Sequence, residues 1–499
     1  MIAQVHLAHR GGVQGNDMKR DTQRSKIEGS AKLRDSNGRL TGRERLAAYW
    51  MRSVVGLSLV VMSFAVGAAH SPNFVVILGE GAGWTSSSVQ MDDRDPASKG
   101  SGVKTPNLER LAASGMRFAR GYAASPRCTP SRAALFTGRS PAALHMTFVG
   151  DGRRGEEALL ARVVAPQAAI ELPAAETTIG ELLQRAGYAT AHFGKWHVGR
   201  VSPSQHGFAE HDGANSNGGP DNVANPNPKQ ALAMTAKGIE FMERQARAGR
   251  PFYLQMSHYP NQEEKGGAGK RRPPEGNPEE MGIADQTVGR IMDAVERLGL
   301  GSNTYLLYTT DHGTPGRNLP LAGGKGTVSE GGLRVPFIVS GPGVKAGACS
   351  YLRVSAMDVL PTFAELAGIK EVLPRDVEGG SFASVLRGGG MGLVKRPREE
   401  FVVHFPHYDK DAIGPASALY LGDWKLIRIY ATGERRLFDL SKDDGERRDL
   451  AGQLPQRMTE LDQRLTDYLK AVNAQMPNIN VGLPVTQRPV ERKGGKGKP

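Results

Sequence analysis

The sequence predicts an α/β fold: a large mixed, mostly parallel sheet sandwiched by helices, with a smaller C-terminal antiparallel sheet plus helix. Two patterns carry this expectation. Between residues 70 and 387, apolar β-branched runs (Phe74–Leu78, Ala189–Phe193, Phe252–Met256, Tyr305–Thr309, Phe337–Ser340) alternate with stretches of helical periodicity, the signature of buried parallel strands covered on both faces. After the glycine-rich Gly388–Met391 the pattern changes. Phe401–His404, Ala418–Leu421, Trp424–Tyr430 and Arg436–Phe438 are short strands joined by turns such as Gly422-Asp423 and Thr432-Gly433, and one long helix, Met458 to Val472, follows. At 499 residues, 39% hydrophobic and 23% charged, the chain has material for a sizeable core.

In chain order, residues 1–50 read as a basic leader, disordered or untranslated, since Met51 stands directly before Arg52. Residues 51–69 have the three-part layout of a secretory signal: Arg52, the apolar run Val54–Val66, then the small residues Gly67, Ala68 and Ala69. That run is short for a bilayer span of about 20 residues. The expectation is an exported, periplasmic or secreted protein with no stable membrane span after cleavage. Within 70–387, Thr105-Pro106 opens a helix whose apolar face is Leu108, Leu111 and Ala112, and Gly115 ends it. Thr178 and Glu181 form a capping box before Ile179, Leu182, Leu183 and Ala186, with Gly187 as the stop. Val288, Ile291, Met292, Val295 and Leu298 give a third helix ahead of Gly299. Residues 395–475 form the small α+β domain and 476–499 a basic flexible tail.

The formal charge of +13 sits mainly at the two ends. Residues 1–50 carry a net +5 and the last twelve a net +4, so with Arg52 set aside only +3 remains between them. That charge no longer demands a polyanionic partner, and no interleaved aromatics accompany the basic tails; nucleic acid is not an expected partner. Cys128 and Cys349 are the whole cysteine complement, which excludes a disulfide scaffold or a cysteine-rich metal framework.

Polar residues gather just after the carboxyl ends of the candidate strands, where open α/β sheets bind ligands: Glu80, Lys195 and His197, His258 and Gln262, Asp311 and His312. The most specific segment is Cys128-Thr129-Pro130-Ser131-Arg132, followed by a short helix closed by Thr137-Gly138-Arg139. Pro130 suits a first helical turn, so residue 128 falls at a helix N-terminus that favours a bound anion.

This segment resembles the signature of the formylglycine-dependent sulfatases. Gly187–Gly199 (GYATAHFGKWHVG) is similar to the second signature of that family, and Gly323–Thr327 with Glu330–Pro336 resembles its lysine-bearing loop. The likeness runs from about Asn73 to Ala451 and implies an alkaline-phosphatase-like fold. It implies that Cys128 is oxidised to formylglycine by a formylglycine-generating or sulfatase-maturing enzyme, and that the product hydrolyses a sulfated carbohydrate or an aryl sulfate. Arg132, Lys195 and Lys325 are then the cations that hold sulfate oxygens, and His197 is the base. One divalent metal, Ca²⁺ by family analogy, is expected on Glu80, Asp311, His312 and residue 128.

Two positions depart from the family. Where it carries adjacent metal-binding aspartates this chain reads Glu80-Gly81; Asp92 or Asp93 could fold back to compensate, but a charged turn of this kind is expected to be solvated. Where it carries a leaving-group histidine, the corresponding place in this chain is Gln262, leaving His258 or Lys325 as the substitute acid. Two other readings therefore stay open. A non-catalytic relative binding sulfated glycans is favoured by Gly81 and Gln262. A phosphoryl-transfer hydrolase on the same fold is disfavoured, because it is expected to use Ser or Thr with two metals.

Overall fold

The computed structural model describes residues 71–152, 162–217, 231–259, 278–316, 318–409 and 413–480, all within one unit of the chain. The leader, the signal-like run, Gln262 and residues 481–499 lie outside the described residues.

The large sheet is built from β1 (Asn73–Gly79), β2 (Met116–Phe118), β3 (Ala189–Gly194), β4 (Glu210–His211), β5 (Phe252–Ser257), β6 (Thr304–Thr310), β7 (Phe337–Ser340) and β8 (Ala348–Ser350). Its order is β8-β2-β7-β6-β1-β5-β3-β4. β1 pairs in parallel with β5 and β6, and β3 pairs in parallel with β5 and β4. β7 runs antiparallel to both its neighbours, so the sheet is mixed but mostly parallel.

Alternation along β1 explains why helices cover both faces. Phe74, Val76 and Leu78 enter a core with α2 (Cys128–Thr137), α3 (Ile179–Arg185) and α6 (Val359–Leu366); Val75 and Ile77 enter a second core with α1 (Pro106–Ser114), α4 (Ala231–Ala248) and α5 (Pro278–Arg297). The predicted capping box at Thr178 and Glu181 is formed, and Gly187 follows α3 at φ +90°. α1 begins after Thr105 as expected, yet the Thr105 hydroxyl caps nothing: it bonds Ser88 instead.

The C-terminal sheet is antiparallel, in the order β9 (Phe401–Phe405), β10 (Ala416–Leu421), β11 (Trp424–Ile429), β12 (Arg435–Asp439). One face (Val402, Leu419, Leu426, Leu437) packs on Leu461, Leu465 and Tyr468 of α7 (Pro455–Ala471). The other (Phe401, Val403, Ala418, Ile427) joins the core shared with β1 and α2. A buried ion cluster, Lys425 Nζ 2.9 Å from Glu330 and 2.7 Å from Glu446, ties this sheet to the large one. The stretch after Gln475, expected to be a loose tail, begins with an ordered pairing of Asn478–Ile479 against Val163–Val164.

Candidate active site

Among the described residues, each predicted site residue follows a strand of the large sheet, lies in the first half of α2 or sits on the loop before β7. β1 delivers Glu80 and Gly81, β3 delivers Lys195 and His197, β5 delivers His258, and β6 delivers Asp311 and His312. These strands are adjacent and parallel, so residues far apart in sequence emerge at one edge.

The motif around Cys128 has local reasons. Cys128 is the first residue of α2 and is buried. Pro130, third in the helix, lacks an N–H where no intrahelical acceptor exists. The Ser131 hydroxyl donates to Ser125 O at 2.7 Å and accepts from Ser125 N–H at 3.1 Å, latching the loop before the helix. Gly138 closes α2 in the left-handed conformation, its N–H donating to Ala134 O.

Arg132, fully buried, reaches back from the helix. Its Nη2 donates to Glu80 Oε2 at 2.9 Å and Asp311 Oδ2 at 3.0 Å, and its Nη1 to Lys195 O at 2.7 Å. Lys195 Nζ meets the same Glu80 Oε2 at 2.7 Å. Cys128 Sγ lies 3.2 Å from Glu80 Oε1 and 3.2 Å from His312 Nε2. Lys325, anchored through its N–H to Thr314 O, adds a third positive charge acting on Glu80, Cys128 and His312.

These charges set the protonation states. Burial and Glu80 push the Cys128 thiol up, but Lys195, Lys325 and His312 outweigh them and bring it down to about 6. Burial opposes the Glu80 charge, yet Lys195, Arg132 and Lys325 hold its carboxyl well below the usual range. Asp311 is pushed up to about 6 by burial and then by Glu80. Burial, followed by Lys195 and Arg132, keeps His197 well below the ordinary imidazole value, so its ring is neutral at pH 7. Burial and Arg132 lower His258 to about 4. Its Nε2 and His197 Nδ1 are buried without a hydrogen-bond partner among the described residues.

The donor set fits one divalent cation. Ligand atoms of Glu80, Cys128, Asp311 and His312 all lie within 4.8 Å of one another. His312 Nδ1 is 3.0 Å from Gly313 O; because a carbonyl only accepts, Nδ1 carries the proton and Nε2 is left free to coordinate. Neither Asp92 nor Asp93 compensates for Gly81. Asp92 is neither at the site nor solvated: it is buried and bonded to Arg94, while Asp93 pairs with Arg117 at 2.9 Å. Gly81 itself has φ +58° and donates its N–H to Asp311 Oδ1 at 3.0 Å. His404 bonds Ser417 and Gln475 O, and His407 bonds Thr147.

Two residues at the site had no signal in the sequence. Asp212 Oδ2 accepts from Gly194 N–H at 3.0 Å, and Asn215 accepts from Trp196 N–H and His197 N–H at 3.1 and 2.9 Å. Both lie in a polar Gly/Asn loop that reads only as a connection.

Comparison with known proteins agrees with this geometry. The family model described as Sulfatase matches residues 72–369, and the N-sulphoglucosamine sulphohydrolase C-terminal model matches 324–475. The chain is 32% identical to mouse (Mus musculus) N-acetylgalactosamine-6-sulfatase over 362 residues, 63% of this chain and 66% of that protein, so it spans just under two thirds of that relative's length. It is 29% identical to human (Homo sapiens) arylsulfatase A over 493 residues, 84% of this chain and 90% of that protein. A solved sulfatase from Pseudoalteromonas sp. has the same fold, with a TM-score of 0.62 at 21% identity over 81% of this chain and 91% of that one. With its signature cysteine at a helix N-terminus amid three cations and two carboxylates, on an alkaline-phosphatase-like sheet, the chain belongs to the sulfatase family.

Proposed function

We propose that the protein is a sulfuric ester hydrolase acting on a sulfated carbohydrate or an aryl sulfate. The observation that carries this is the cluster at Cys128: a buried side chain at a helix N-terminus, faced by Glu80 and His312, with Arg132, Lys195 and Lys325 supplying positive charge. Names of relatives support the substrate class. They include N-acetylgalactosamine-6-sulfatase, and a fold neighbour was solved in complex with its substrate D-glucosamine-2-N,6-O-disulfate.

Oxidation of Cys128 to formylglycine would supply, in hydrated form, a hydroxyl nucleophile and a route for releasing sulfate. A divalent cation on Glu80, Asp311, His312 and residue 128, Ca²⁺ by family analogy, would polarise a sulfate oxygen. The chain's own side chains do the rest. Lys195 and Lys325 hold the remaining sulfate oxygens, and Arg132 fixes Glu80 and Asp311 from behind. His197, kept neutral, takes the proton that must leave residue 128 when sulfate departs. His258 follows β5 with a ring nitrogen free of partners among the described residues; lowered to about 4 it is neutral at pH 7, so it serves the leaving oxygen as a hydrogen-bonding group and not as a charged acid. Export through the signal-like 51–69 belongs to the same reading; among the described residues no helix is long and apolar enough to cross a membrane.

The test is turnover of a chromogenic aryl sulfate and of 6-O-sulfated amino sugars by protein co-produced with a maturing enzyme. Peptide mass spectrometry of residue 128 accompanies it. The expected result is the aldehyde at 128, activity in the wild type, and a loss of more than about a thousandfold in Cys128→Ala. Undiminished activity in that variant refutes the assignment, and a phosphate ester cleaved in preference favours the phosphoryl-transfer reading.

A further inference from the structure

Four consecutive backbone N–H groups, from the last residue of β3 onward, are each held by a different acceptor atom. Gly194 donates to Asp212 Oδ2 at 3.0 Å, Lys195 to Ser257 O at 2.8 Å, Trp196 to Asn215 Oδ1 at 3.1 Å and His197 to Asn215 O at 2.9 Å. The segment is not in a relaxed conformation. Gly194 has φ +96° and His197 has φ +58°, a left-handed geometry that costs a non-glycine residue about 1–2 kcal/mol and persists only where its surroundings over-determine it.

The acceptors are themselves fixed. Asn215 Nδ2 donates to Asp212 O at 3.3 Å, Asp212 N–H donates to His192 O at 3.3 Å, and Asp212 Oδ1 accepts from Lys237 Nζ of α4 at 2.6 Å. The segment has further reach, because the Lys195 carbonyl accepts from Arg132 Nη1 at 2.7 Å while Lys195 Nζ holds Glu80. One short stretch of backbone therefore sets the positions of Lys195, His197 and Arg132 together.

We propose that Asp212 and Asn215 are positioning residues of this site: their loop clamps residues 194–197, imposes the left-handed turn at His197, and so sets His197 and Lys195 relative to residue 128 while holding Arg132 behind Glu80 and Asp311. The proposal rests on the sulfatase reading for its consequence in turnover, but not for its consequence in backbone protection. In reaction terms, a shift of about 1 Å in such groups costs on the order of a hundredfold, and it falls on the chemical step rather than on encounter with substrate.

The experiment pairs hydrogen–deuterium exchange of the matured, full-length protein with kcat and KM on a chromogenic aryl sulfate. The variants are Asn215→Ala, Asp212→Ala, Asp212→Asn and Lys237→Met. Both alanine variants are expected to exchange the amides of 194–197 at least about tenfold faster and to lose about ten- to a hundredfold in kcat with KM little changed. Asp212→Asn retains an oxygen for Gly194 and should remain near wild type, whereas Lys237→Met keeps the Gly194 bond but removes one support of Asp212, so its exchange should fall between wild type and Asp212→Ala. Wild-type exchange and kcat in the alanine variants overturn the proposal. So does an Asp212→Asn variant as impaired as Asp212→Ala, which would make charge rather than the hydrogen bond the cause. Faster exchange in the alanine variants of a protein whose wild type cleaves no sulfate ester supports the clamp and overturns the sulfatase reading instead.

Discussion

Lys195 Nζ donates to Glu80 Oε2 at 2.7 Å, and both side chains are withdrawn from solvent. Arg132 shares the same oxygen, so one carboxylate orients two of the three cations. Glu80 Oε1 is left facing residue 128.

Removing Lys195 leaves part of a buried charge uncompensated. Lys195→Met is expected to lower unfolding free energy by about 3 kcal/mol in urea titrations at pH 7. In unmodified protein freed of divalent metal, the ultraviolet thiolate absorbance of Cys128 should titrate with a midpoint at about 6 and move upward in this variant. An unchanged midpoint would show that Lys195 does not act on residue 128.

Gly81 stands in the left-handed region, at φ +58°. Gly81→Asp is therefore expected to lose about 1 kcal/mol in thermal unfolding, and Gly81→Val more, because β-branching tolerates positive φ least. Calorimetric titration should show no tightening of Ca²⁺ binding by the new carboxylate. A variant as stable as wild type that binds Ca²⁺ ten times more tightly would mean the turn accepts a side chain and that glycine there has no backbone role.

Metal removal should be felt through Asp311 and His312. Asp311→Ala and His312→Ala are each expected to weaken divalent-cation affinity at least about tenfold, since few side-chain donors remain to share the loss. Chelation should lower the wild-type melting temperature but leave that of Asp311→Ala nearly unmoved. Equal chelator effects on both proteins would place the cation elsewhere.

Acid should destabilise the fold through buried histidine. Burial lowers His404 from 6.5 to about 4, and its ring bonds Ser417 and Gln475 O. The unfolded chain takes up the proton first as pH falls, so this contribution is complete above 6.5 and is lost on the way down to about 4. It is worth on the order of 3 kcal/mol by pH 4. His404→Gln should cost stability at pH 7 yet flatten the decline between pH 6.5 and 4, read from urea midpoints. A parallel decline in both proteins would assign the acid sensitivity to other groups.

The strands were legible because burial on both faces leaves a plain record. Phe74–Leu78 and Tyr305–Thr309 are uninterrupted apolar runs, and each became a central strand with one residue added at either end. Local chemistry was legible for the same reason: a proline two residues after Cys128 and a glycine after Thr137 set the limits of α2 without help from elsewhere. Pairing direction was not, since the four residues of β7 pack alike in either orientation, and only their neighbours make the strand antiparallel. Asp212 and Asn215 carry nothing in their spacing that marks them; their roles arise because β3 and β4 pair side by side and bring a loop against residues 194–197. The fate of Asp92 and the left-handed turn at Gly81 belong to the same class. Hydrophobic periodicity is a property of a segment, whereas which donor meets which acceptor is a property of segments brought together. Candidates at the strand ends and on α2 could thus be proposed from the chain, whereas Asp212, Asn215 and the geometry that joins them all came from folding.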